Sequence, residues 1–149
     1  MRGQDCSQVV LSHYAEKIGI TEEEANRAAA AFGGGMGVGE VCGAVVGAMA
    51  VLGYLYGHKG PDDMDRRNEM IAARAAFLEK WSARHSSCRC NDLLGHDIGT
   101  PEGFQEILEE GLLFNFCPEL VMDAIAVTDE VIAEEATRQK TAENAASAE

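Results

Sequence analysis

The chain has 149 residues, 46% of them apolar, with a formal net charge of −13 and a pI of about 4.6. That length suits one domain with its own core, and the apolar fraction excludes a disordered chain. The acidic balance excludes DNA or RNA as a partner, because phosphate binding needs a basic face, and it gives no attraction to an anionic membrane.

Met1-Arg2-Gly3-Gln4-Asp5 carries no apolar stretch of the kind a secretory leader needs. From Cys6 to Ile18, Val9, Val10, His13, Tyr14 and Lys17 recur at helical spacing, and Gly19 marks the stop. Thr21-Glu22-Glu23-Glu24 is a capping box that opens a helix through Ala25 to Ala31. The segment from Gly33 to Gly39 must break that helix, since Gly33, Gly34, Gly35 and Gly37 crowd into five residues. Val41 to Tyr56 is the next helix. Its uncharged run to Gly57 is 17 residues, just short of a membrane span. Gly43-Ala44-Val45-Val46-Gly47 is a G-x-x-x-G, which pairs helices in membranes. The preferred reading is a central helix buried on all sides, whose small residues admit close neighbours. A soluble, cytoplasmic protein is expected.

Asp62 to Arg84 is long and amphipathic, with Met64, Met70, Ile71, Ala75, Leu78 and Trp81 on one face. Ser86 to Arg89 reads as loop, Asn91 to Leu94 as one turn, and Gly95 to Gly99 as loop. Thr100-Pro101-Glu102 opens another helix, with threonine as cap and proline next. Pro118 to Gln139 is the last helix. No alternating run or hairpin signal supports a strand. The expected fold is all-α: a single-domain bundle of five or six helices over residues 1–139, with a glycine-rich loop before a buried central helix. Residues 140–149 are expected to fray.

Four of the five cysteines, Cys6, Cys42, Cys90 and Cys117, stand at these helix starts. A helix start carries unpaired N–H groups and about half a positive charge. That setting lowers a thiol pKa and favours the thiolate, the form that binds metals and does redox chemistry. No C-x-x-C pair exists, which removes the common zinc-finger and thioredoxin spacings. In a bundle, helix starts converge at one end, and four thiolates gathered there suit a tetrahedral iron–sulfur or zinc site. The competing reading treats the cysteines as small buried apolar residues. In a cytosolic chain, five cysteines suggest metal or redox work more than structural disulfides.

Cys6-Ser7-Gln8, Phe32-Gly33-Gly34-Gly35-Met36-Gly37, Cys42-Gly43-Ala44-Val45-Val46-Gly47, Cys90-Asn91-Asp92-Leu93-Leu94-Gly95-His96-Asp97 and Cys117 follow one another in order. Together they resemble the redox-active protein family named for its pattern C, G-C-A-x-x-G, C, C, over roughly Cys6 to Val127. The resemblance implies a helical domain, bacterial or archaeal, with a redox or metal-linked role and an association with iron–sulfur clusters. It implies no particular reaction, so whether the protein is an enzyme stays open. Two departures stand out. Val41 precedes Cys42 and Gly43 follows it, which swaps the glycine–cysteine order of the family name. Cys88 is an extra thiol two residues before Cys90, read first as a surface residue, with a Cys88–Cys90 disulfide or a resolving thiol as alternatives.

The loop from Gly33 to Gly39 fits no G-x-G-x-x-G, follows no strand and precedes no Lys-Ser or Lys-Thr, so it is not a nucleotide loop. Gly33, Gly34, Gly35 and Gly37 are instead candidate cofactor-binding positions, whose N–H groups approach the sulfurs. The alternative is a plain helix break. His96 is a candidate fifth ligand or proton carrier, weighed against a solvated loop histidine, and Glu40 a candidate acceptor of a thiol proton. Asp129-Glu130 and Glu134-Glu135 lack the Glu-x-x-His repeats of di-iron bundles and read as a solvated face.

Three functions follow. The first is a redox or electron-transfer accessory protein whose four cysteines bind an iron–sulfur cluster, with zinc second, and which serves an unidentified redox partner protein. The second is a metal-free thiol–disulfide protein using the same four cysteines. The third is a helical interaction module, a homodimer through the G-x-x-x-G helix, with structural cysteines.

Overall fold

The computed structural model describes residues 3–148. The chain opens with α1 (Cys6–His13), α2 (Ala15–Ile18) and α3 (Glu22–Ala29). After the glycine segment come α4 (Gly43–Tyr56), α5 (Met64–Ser82), α6 (Cys90–Leu94), α7 (Pro101–Glu109), α8 (Leu112–Asn115) and α9 (Cys117–Ser147). The fold is all-α, and nine helices among the described residues replace the five or six expected. The surplus has local causes. Tyr14, at φ −100° and ψ 4°, leaves the helical region and splits the first helix in two. Gly111, at φ 70°, turns the chain between α7 and α8. An isolated antiparallel pairing joins Val41 to Arg89.

The capping predictions at Thr21 and Thr100 hold. Each threonine side chain accepts the N–H of the residue three further on, Glu24 or Gly103. Helix α4 runs through the centre and packs on α1, α5 and α9. The main core joins Val10 of α1, Val45, Val51 and Leu52 of α4, Phe77 and Trp81 of α5, and Leu120, Val127 and Val131 of α9. The face that α5 buries is Ala73, Phe77 and Trp81, spaced four apart. Met64, Ile71 and Leu78, expected inside, are 53%, 47% and 38% exposed. Choosing that face by apolar content alone omitted Phe77, whose ring stacks on Trp81 at 6.1 Å.

Helix α9 continues to Ser147, beyond the expected end at Gln139, and its last turns are solvent-exposed. Asp129, Glu130 and Glu134 of α9 are solvent-exposed as expected, and they also bond to neighbouring elements, while Glu135 alone is buried. Arg84, just past the end of α5, pairs with Glu130 at 2.5 Å, and Lys80 of α5 pairs with Glu134 at 2.6 Å. The Tyr14 hydroxyl donates to Asp129 at 2.7 Å. Glu135 is 5% exposed and pairs with Arg138. No single helix among the described residues is long and apolar enough to cross a membrane.

Glycines set the spacing of α1 and α4. A Cβ on Gly47 would lie 2.9 Å from the Ser7 carbonyl oxygen and 2.9 Å from Val10 Cβ, and one on Gly43 would lie 2.9 Å from the Phe32 carbonyl oxygen. These obstacles are backbone or a stiff β-branched carbon, so neither yields cheaply. Ser7, fully buried, donates its hydroxyl to the Ala29 carbonyl at 2.8 Å and locks α1 to α3. Gly47→Ala should therefore lower unfolding free energy by about 1–3 kcal/mol through overpacking. Gly53→Ala, on the same helix with open space around it, should raise it by about 0.5–1 kcal/mol by helix propensity. Urea unfolding of the two variants checks the contrast.

Candidate redox centre

Each of the four cysteines stands at the start of its helix: Cys6 is the first residue of α1, Cys42 caps α4, Cys90 is the first residue of α6, and Cys117 the first of α9. Their positions follow from three devices. The glycine contacts bring the start of α4 against the start of α1, where Gly43 lies beside Ser7 and Cys6. The Val41–Arg89 pairing sets the next two. The Cys42 N–H donates to the Cys88 carbonyl at 2.8 Å, and the Cys90 N–H donates to the Glu40 carbonyl at 2.7 Å. The bend at Gly111 and α8 delivers Cys117, with Pro118 following it in the first turn of α9.

The glycine turn closes the same pole. Gly34, Gly35, Met36, Gly37 and Gly39 all take left-handed φ between 60° and 76°, a run that L side chains resist. Only glycine fits at Gly39, where the Asn91 side chain occupies the space of a Cβ. That side chain donates to Asp97 at 2.9 Å and accepts the Ile98 N–H at 2.9 Å, so it ties the turn to the loop after α6.

Cys6, Cys42, Cys90 and Cys117 line one cavity of about 560 Å³. It lies on the seam between the main core, which holds Cys42, and a smaller apolar cluster of Cys90, Leu94, Ile107 and Cys117. Cys6 packs against both. Leu94, Ile98, Leu113 and Leu120 form further walls, and the exposed rings of Phe104 and Phe114 mark the mouth. Gly34 and Gly37 line the cavity; Gly33 makes room for the Asp5 side chain, and Gly35 abuts the Glu40 backbone. Among the described residues, Asp5 is the one charged residue on the wall.

The thiols do not behave as helix starts alone would dictate. Burial pushes Cys42 up to about 11, with the charge on Cys6 adding to it, although the N–H groups of Ala44 and Val45 act downward. Burial likewise pushes Cys90 up to about 12. Cys6 is raised because it donates its S–H to Cys117, with burial second and the Asp5 carboxylate adding further. Cys117 alone is lowered, because it accepts that hydrogen bond. The expectation of four activated thiols is corrected: Cys6, Cys42 and Cys90 are raised above the ordinary cysteine value, and Cys117 alone is lowered. In an apolar cavity the cost of burying charge exceeds the help of a few amides, and each further charge repels the first.

Other candidates lie elsewhere. His96 bridges Glu106 at 2.9 Å and Glu110 at 3.0 Å, so it serves the α7 side of the fold and not the sulfurs. Glu40 turns its carboxylate to Arg89 at 3.1 Å. All five cysteines are free thiols, and Cys88 is half-buried. Among the described residues, no three His, Cys, Asp or Glu side chains sit close enough to hold a single metal ion. Sequence reasoning missed the apolar walls from α7 and α8. No motif marks them, because Phe104 and Leu113 differ in pattern from no other amphipathic pair.

A helical bundle with three buried cysteines and the half-buried Cys6 around one apolar cavity defines a cysteine-rich domain. The chain belongs to the C_GCAxxG_C_C family, described as "Putative redox-active protein", whose pattern matches residues 4–131. No curated protein and no solved structure shows a significant match to it.

Two measurements check these assignments. In metal-free protein, iodoacetamide should label Cys117 first near neutral pH, while Cys42 and Cys90 resist until the pH approaches about 11 and 12; peptide mapping reads the order. The carboxylates of Glu110 and Glu106 raise the His96 pKa. Its contribution to stability is then complete below about pH 6.5 and is lost as pH rises through the raised value. His96→Gln should flatten that part of the pH–stability curve.

Proposed function

We propose that the protein is a redox or electron-transfer accessory protein in which Cys6, Cys42, Cys90 and Cys117 hold an iron–sulfur cluster. The observation that carries this reading is the shared cavity: four helix starts, far apart in sequence, each present a cysteine to one largely apolar space. Four cysteines and no other soft ligand suit iron–sulfur chemistry. A cluster, when bound, supplies a one-electron couple. Zinc is the second choice, because tetrahedral bonds of about 2.3 Å need sulfurs about 4 Å apart, and no such group of three forms among the described residues.

The chain's own residues have defined tasks. Cys117, whose pKa is lowered, is the natural first ligand. Cys6, Cys42 and Cys90 must each release a proton on binding, so loading weakens as pH falls. The N–H groups of Ala44 and Val45, at the start of α4, favour the charged form of the Cys42 sulfur, and backbone amides near sulfur raise the potential of a cluster. Leu94, Ile98, Leu113 and Leu120 exclude water. Five cysteines fit a reducing compartment, and a bacterial or archaeal cytoplasm is the setting we propose.

A second reading rests on the Cys6–Cys117 hydrogen bond. In it, the Cys117 thiolate attacks a disulfide of a partner protein and releases one partner thiol. Cys6 then displaces the second partner thiol, leaving a Cys6–Cys117 disulfide and a fully reduced partner.

Anaerobic reconstitution with ferrous iron and sulfide separates the two. The cluster reading expects a brown protein with visible absorption and bound iron and sulfide in equal amounts, and Cys42→Ser or Cys90→Ser should lose most of the bound iron. A colourless protein without iron, whose Cys6 and Cys117 cross-link on oxidation, transfers the site to thiol exchange. A colourless protein that takes up zinc points to the other metal.

A further inference from the structure

The fifth cysteine is not placed at random. In the antiparallel pairing of Val41 with Arg89, the residue after one stands opposite the residue before the other. Cys42 and Cys88 are therefore direct cross-strand partners, and the hydrogen bond from the Cys42 N–H to the Cys88 carbonyl fixes the register at 2.8 Å. Arg89 is extended, at φ −84° and ψ 135°, so the pleat turns Cys88 and Cys90 to the side that Cys42 occupies. The packing agrees: Cys88 rests against the core cluster that contains Cys42. Opposed residues in such a pairing have Cα atoms about 5.5 Å apart, inside the range of about 4.4–6.8 Å that a disulfide spans. Exposure differs across the pair. Cys42 is 3% exposed, whereas Cys88 is half-buried and does not line the cavity.

We propose that Cys88 is a resolving thiol for Cys42, and that oxidation links the two as a disulfide that withdraws Cys42 from the four-cysteine set. A small-molecule disulfide is the oxidant. Cys88, the accessible member, loses its proton and attacks that disulfide, forming a mixed disulfide and releasing one small thiol. Cys42 then loses its proton, attacks the Cys88 sulfur and releases the second. Two protein thiols and one disulfide become one protein disulfide and two small thiols, so atoms and electrons balance. The geometric part stands on the backbone pairing alone; the consequence, an interruption of cluster binding, rests on the reading above.

The test uses metal-free full-length protein treated with oxidised glutathione, then digested and mapped by mass spectrometry without reduction. The Cys42–Cys88 cross-link should exceed the Cys88–Cys90 cross-link by at least about tenfold, because two residues in sequence close only a strained ring. Cys6→Ser/Cys117→Ser protein, in which the competing pair is gone, should give the same cross-link. Cross-links confined to Cys88–Cys90, or Cys88 held only as a glutathione adduct with Cys42 free, would overturn the proposal. Cys88→Ser protein should load iron as wild type does and, unlike wild type, should keep its loading capacity after glutathione disulfide treatment. If the cross-link forms but wild-type protein never takes up iron, the cluster reading fails while the pairing of Cys88 with Cys42 stands. If iron loads and no cross-link forms, the reverse holds.

Discussion

The contact of α1 with α4 through Gly43 and Gly47 is the constraint on which the rest of the molecule depends. It removes side chains from the crossing, so backbone touches backbone and the two N-termini come level. Cys6 and Cys42 share a cavity for that reason. The same approach makes Ser7 fully buried, and its hydroxyl finds the Ala29 carbonyl. An isolated buried hydroxyl costs roughly 1–3 kcal/mol, so α3 is held in place by the need to satisfy it. Small residues in α4 thus shape the site more than any group that touches it.

Two opposing effects meet at the sulfurs. Backbone amides at a helix start favour a charged sulfur, and an apolar cavity opposes one. Burial wins at Cys42 and Cys90. At Cys117 the balance reverses because one neighbour shares its proton. The result is an arrangement that takes its first negative charge most readily at Cys117 and resists four. A cationic guest, or loss of electrons to form a covalent bond, relieves that resistance.

Much of this was legible in the chain. The helical class, the caps at Thr21 and Thr100, the glycine break and the start position of every cysteine in the set follow from local rules, and local rules are strongest at helix ends. What was hidden depended on distance. The Val41–Arg89 pairing joins residues 48 apart, by their numbers 41 and 89, and leaves no alternating pattern because it is one pair long. The buried stripe of α5 was misjudged because Met64, Ile71 and Leu78 are apolar yet face water, while Phe77 decides the orientation. His96 looked available until Glu106 and Glu110, on the following helix, claimed both ring nitrogens. Of the α9 carboxylates read as a solvated face, Asp129, Glu130 and Glu134 are exposed, and only Glu135 is buried, paired with Arg138 one turn on.

The four sulfurs come from the beginning, the middle and the far part of the chain, and the hydrogen-bonded pair, Cys6 and Cys117, comprises the first and last of them. A ribosome releases the polypeptide in that order, so Cys6 emerges 111 residues before its companion, by their numbers 6 and 117. The cavity is therefore closed on its last side only when Cys117 arrives, and a chain ending before that residue would leave the first three cysteines without their fourth wall.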